Sequence, residues 1–96
     1  MTQFRVSKYL KKCGVSAEMQ GLIFFTCINI NRIDEETQRR IINLCIEIAQ
    51  EDYQALYEFL TNPNINHHYI NIKYGVGEKV LYGYKREFYQ RFKIGR

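Results

Sequence analysis

The chain has 96 residues, 46% hydrophobic and 25% charged, with one proline and six glycines. That length holds a single domain, and the composition is globular, neither disordered nor collagen-like. A domain this small hides only about 60 to 65% of its unfolded surface, so a large enclosed cofactor cavity would compete with the core for side chains, which disfavours most enzyme architectures.

The net charge of +4 is unevenly placed. Residues 1–63 carry seven Lys/Arg against eight Asp/Glu, whereas residues 64–96 carry seven (Lys73, Lys79, Lys85, Arg86, Arg91, Lys93 and Arg96) against Glu78 and Glu87 alone. A basic third within one domain points to an anionic partner, nucleic acid first and an acidic membrane surface second; its plainer use is a solubilising face. Cys13, Cys27 and Cys45 are odd in number and far apart, which predicts buried thiols in a reducing compartment and no disulfide framework. The longest apolar run, residues 22–30, is broken by Thr26 and Asn29 and falls far short of the roughly 20 residues that cross a bilayer. The basic cluster at residues 8–12 leads into polar sequence, unlike a secretory leader. A cytoplasmic protein with no membrane partner is expected.

In chain order, Val6, Tyr9, Leu10 and Cys13 recur at helical spacing, and Gly14 follows where a left-handed cap ends a helix. Ser16 caps a second helix whose apolar stripe is Met19, Leu22, Ile23, Phe24 and Cys27, although residues 23–26 also suit a strand. Asp34 caps a third helix, with Glu35 and Glu36 at its positive end and Ile33 as a staple. Ile41, Ile42, Cys45, Ile48 and Ala49 form its apolar face, opposite Arg39, Arg40 and Glu47. After the charged turn at Glu51 and Asp52, Leu56, Tyr57 and Leu60 mark a fourth helix or a bent continuation of the third. It ends near Asn62, because Pro63 disfavours helical backbone there. The expected fold is all-α: a compact bundle of five or six helices in one domain. Residues 1–63 form a helical scaffold and candidate dimer interface, and residues 64–96 a basic C-terminal unit.

Residues 66–86 read as two helices around a very short turn. Asn66 caps the first, Gly75 ends it, Val76 plugs the corner, and Gly77 with Glu78 opens the second. This is the helix-turn-helix arrangement, whose second helix enters the DNA major groove. Ile70 and Tyr74 should pack on Leu81 and Tyr84, with Val76 between them. Asn71 stands where such motifs carry a small residue, and its amide can bond the turn backbone. Projected at about 100° per residue, the second helix turns Leu81, Tyr84, Phe88 and Phe92 inward, with Lys85 at the flank. Lys79, Gly83, Arg86 and Gln90 turn outward, bordered by Tyr82, Tyr89 and Lys93. Lys, Arg and Gln donate to base edges and phosphates. Gly83 costs the helix about 0.5 to 1 kcal/mol relative to alanine, a loss explained if a surface must approach closely there. Among the tyrosines of this third, Tyr74 and Tyr84 are accounted for by packing while Tyr82 and Tyr89 on the second helix stay exposed, which favours duplex over single-strand binding.

Other constellations are weaker. His67 and His68 are adjacent, so on a helix they diverge and cannot share a metal at i, i+4 spacing. Glu35-Glu36 and Glu51-Asp52 suit helix starts better than an acid/base dyad. Tyr74-Gly75-Val76-Gly77 lacks the lysine and strand of a phosphate loop. No catalytic residue, metal or cofactor is expected.

Residues 6–21, with the Gly14-Val15-Ser16-Ala17 turn and Gln20 before Gly21, resemble the opening of the DNA-binding effector domain of the sporulation response regulator. Residues 70–86 resemble its helix-turn-helix, although residues 29–66 do not align. The resemblance implies a base-reading face at Tyr82, Gly83 and Arg86, of which only Arg86 keeps the family's chemistry. The functional expectation is a phage- or plasmid-type regulator of transcription or of a mobile element that binds double-stranded DNA, as a homodimer. Lys79, Tyr82, Arg86 and Gln90 would read bases, and Lys73, Tyr89, Arg91, Lys93 and Arg96 would meet phosphates. The rival expectation is a small inhibitor or adaptor that docks the same basic aromatic helix on an acidic host protein, since Tyr and Arg also make protein hot spots.

Overall fold

The computed structural model describes residues 4–92. Among these lie six α-helices and no strand: α1 (Lys8–Lys12), α2 (Ala17–Ile28), α3 (Glu35–Ala49), α4 (Tyr53–Thr61), α5 (His67–Tyr74) and α6 (Glu78–Arg91), with a 3-10 turn, Gln50–Asp52, between α3 and α4. The expected all-helical fold is what forms. None of these helices is long and apolar enough to cross a membrane.

Short polar side chains set the helix starts. Ser7, Ser16, Asp34 and Asn66 each accept a hydrogen bond from the backbone N–H three residues on, satisfying a donor that has no partner within the helix. Gly14 and Gly75 leave α1 and α5 with φ of +92° and +74°, a region that costs glycine little. The third and fourth helices are separate. Gln50 carries φ of +51°, so the chain leaves the helical path and re-enters through the 3-10 turn.

Two apolar clusters follow. The larger joins Leu10, Ile23, Ile41, Cys45, Leu56 and Phe88 from α1, α2, α3, α4 and α6. The smaller sets Ala55, Ile70, Val76 and Leu81 together under α5 and the start of α6, with Tyr84 packed against both.

Several expectations are corrected at the N-terminal end. Val6 precedes α1 and is exposed, because Ser7 caps the helix and fixes its start one residue later. Cys13 is also exposed, whereas Cys27 and Cys45 are core thiols whose burial pushes each pKa up to about 12. Residues 23–26 are helical, not extended. Leu22, placed on the buried stripe of α2, is instead half exposed with Phe25, since Gln20, Ile23 and Cys27 form the buried side.

Gln20 is the buried polar residue of the core, 1% exposed. Its Oε1 accepts from the Ser7 N–H at 2.7 Å, and its Nε2 donates to the Ser7 and Val15 carbonyls at 3.1 and 3.0 Å. One amide therefore ties the N-terminal segment and the loop after α1 to α2. Replacing it leaves backbone groups without partners in a dry setting, which costs more than the bonds themselves contribute. Gln20→Leu is expected to lower stability by about 2 to 4 kcal/mol in urea denaturation. A loss under about 1 kcal/mol would mean that water replaces the amide.

Candidate nucleic-acid interface

The joint between α5 and α6 is built as its sequence suggests. The left-handed Gly75 donates its N–H to the Asn71 carbonyl at 2.8 Å. Val76 is 4% exposed, with Ile70 and Leu81 fully buried beside it and Tyr74 and Tyr84 packed around them. Asn71 uses its side chain as anticipated: Nδ2 donates to the Val76 carbonyl at 3.2 Å, closing the turn from within. Gly77 caps α6 with extended backbone and no side-chain bond. At the same end, His67 Nε2 lies 3.6 Å from Glu78 Oε1, and its ring meets that of His68 at 4.3 Å between centroids, tilted by 38°. No cluster of three or more metal-ligating side chains occurs among the described residues.

The outward side of α6 holds Lys79, Arg86 and Gln90, all exposed, with Gly83 half-buried among them. Lys79 and Arg86 have no carboxylate within ion-pair distance among the described residues. Arg86 Cζ sits over the Tyr9 ring, 5.1 Å from its centroid, a cation–π contact that steadies the guanidinium without using its N–H donors. A Cβ on Gly83 would meet nothing closer than the Arg86 guanidinium at 3.9 Å, so no packing among the described residues requires glycine there.

Other expected contacts are placed differently. Tyr89, assigned to phosphate and expected in solvent, is 5% exposed, because the loop after α1 covers that flank of α6 and draws the ring into the larger cluster. It is removed from the candidate surface. Tyr82 is half-buried, with edge contacts to Phe59 at 5.5 Å and His67 at 5.9 Å, and burial raises its hydroxyl above the usual tyrosine range. Lys73 is exposed but bonded to Glu58 at 3.1 Å. Arg91 is held between Glu47 at 2.6 Å and Glu87 at 3.2 Å, so both cations reach a phosphate only by sharing or surrendering a carboxylate. Lys93 and Arg96 lie outside the described residues.

Sequence reasoning assigned α1 to the scaffold and so missed its charge. Packing of α1 on α6 brings Tyr9 under Arg86, and Lys8, Lys11 and Lys12 stand exposed on the same short helix, with Arg5 just before it. The overlooked signal is the basic cluster itself, which the charge count of the first 63 residues cancelled against acids located elsewhere. Asp52 was likewise read as a helix start. It does stand at the start of α4, but its side chain makes no capping bond and instead accepts from the Tyr84 hydroxyl at 2.9 Å, fastening α6 to the 3-10 turn.

Compared with known proteins, the sequence matches no family model, and neither curated proteins nor solved structures give a match. The site is described by its own geometry.

Glu58 shows how the acidic side of this unit is used. It accepts from the Tyr74 hydroxyl at 2.6 Å and from Lys73 Nζ, and these bonds, Tyr74's first, hold its carboxyl below the usual range. Stability from a depressed carboxyl is present above its unfolded pKa and lost as pH falls through the folded value. Glu58→Gln is therefore expected to cost about 1 kcal/mol at neutral pH and nothing once acid has protonated the native residue, as read by denaturant midpoints at both pH values. An equal loss at both would assign the effect to shape.

Proposed function

We propose that the protein binds double-stranded DNA through the α5–α6 unit, as a small regulator that acts by occupying its site. In this reading α5, the Gly75-Val76-Gly77 turn and α6 are a helix-turn-helix, and α6 enters the major groove. The observation that carries it is the outward arc of α6: Lys79, Arg86 and Gln90 project from a helix fixed on its other side, and neither cation is neutralised by a described carboxylate. Arg86 and Gln90 have the donor geometry for guanine and adenine edges, and Lys79 at the start of α6 reaches the first base or its phosphate. The lysines of α1 supply further phosphate contacts beside the groove. The resemblance of residues 6–21 and 70–86 to the sporulation effector domain agrees with this reading. A single helix reads few base pairs, so a homodimer belongs to the proposal, and exposed Leu22 and Phe25 on α2 are surface available to it.

Duplex binding is expected to weaken linearly in log–log salt plots, with a slope of several charge equivalents. Arg86→Ala is expected to lose about 1 to 3 kcal/mol on a selected sequence and little on random duplex. Equal losses on both would remove Arg86 from base reading, and absence of duplex binding at low salt would replace this function by the adaptor reading, in which the same face meets an acidic protein. Gly83→Ala separates close approach from mere tolerance. It is expected to stabilise the free protein by about 0.5 to 1 kcal/mol while weakening DNA binding; unchanged binding would show that nothing approaches that face.

A further inference from the structure

A cleft of about 490 Å³ opens between the segment leading into α1, the middle of α2 and one flank of α6. Its apolar walls are the rings of Phe4, Phe24, Tyr82 and Tyr89. Arg5, Lys85 and Arg86 line the same space, and among the described residues no carboxylate does. We propose that this cleft binds a small planar aromatic anion, of the chemical class of a nucleoside monophosphate. The assignment stands without the duplex reading, although Arg86 borders both surfaces.

The charge pattern comes first. Lys85 is half-buried, and Nζ lies 5.7 Å from the Phe59 centroid, 5.9 Å from Tyr82 and 5.7 Å from Tyr89. Three ring faces are its partners; no ion pair to it exists among the described residues. Burial holds the amine below the usual lysine range, the mark of a cation that has lost water without gaining a counter-charge. Arg5 and Arg86 add like charge to the same cavity. An anion entering there meets three cationic side chains, whereas a cation is disfavoured.

Shape supplies the second half. The volume suits a small-molecule ligand, and aromatic walls with a few convergent polar groups are the usual makeup of such sites. Phe4 and Phe24 lie 5.3 Å apart between centroids and tilted by 39°, offering apolar surface to a flat ring. The floor is anchored at Ser7 and Val15, on which both amide atoms of Gln20 are spent, and Phe4 packs on the rings of Phe24 and Phe25. Little ordering is left for the ligand to impose.

The test is a nitrogen–proton NMR titration of the intact protein with AMP, beside inorganic phosphate and adenosine as separate probes. Saturable shifts confined to residues around Phe4, Tyr82 and Lys85 are expected with AMP, and each half-ligand should bind at least about tenfold more weakly. Lys85→Met, which keeps the apolar stem, should weaken AMP by at least about tenfold; Arg5→Gln, at the outer edge, should weaken it less and serves where the first variant fails to fold. Phosphate binding as tightly as AMP would reduce the site to surface charge. Adenosine binding equally well would remove the anion. Native spectra with unchanged AMP affinity in both variants would overturn the site.

Discussion

The rest of the molecule depends on how α6 is buried. Leu81 lies in the smaller cluster, Phe88 and Phe92 lie in the larger one, and Tyr84 touches both, so one helix spans the whole core. Its roll about its own axis is fixed by that burial and by two polar fastenings, Tyr84 to Asp52 and Arg91 to Glu47. Whatever α6 offers to solvent follows from what it hides. Lys79, Arg86 and Gln90 are outward because Leu81, Tyr84, Phe88, Tyr89 and Phe92 are inward, not because charge selected the direction.

The same constraint sorts the basic residues into three kinds. Lys73 and Arg91 are spent on carboxylates of other elements and serve the fold. Lys79 and Arg86 stand outward without such partners, and Lys85 lies among rings on the inner flank. Net charge does not distinguish these kinds, and desolvation with pairing does. An exposed pair contributes little to stability, while a cation sheltered from both water and carboxylates retains its attraction for an incoming anion.

Much of the architecture was legible along the chain because its signals are local. Ser16, Asp34 and Asn66 announce helix starts through one backbone bond each, Gly14 and Gly75 announce stops through a backbone angle, and the Asn71 amide had a single short reach to the turn. What failed was non-local. Tyr89 has the same helical projection whether its flank faces water or the loop after α1, so its burial could not be read from α6 alone. Leu22 was placed inward by hydrophobicity, but Gln20 occupies the buried side because two backbone segments converge on its amide. The partnership of α1 with α6, and with it the basic ridge around Tyr9 and Arg86, likewise depends on a contact between residues far apart in sequence.

That amide also sets how the beginning of the chain behaves as a unit. Ser7 gives its N–H and its carbonyl to one side chain and its hydroxyl to the α1 cap, so backbone anchoring and helix initiation share a residue. Fraying from the amino end thus stops there or passes through at once, in an all-or-none local opening. A chain trimmed past this serine would shed the Phe4 wall and the Arg5 charge, leave the first helix uncapped, and strand half of a buried carboxamide, although none of the described residues removed belongs to the large apolar cluster.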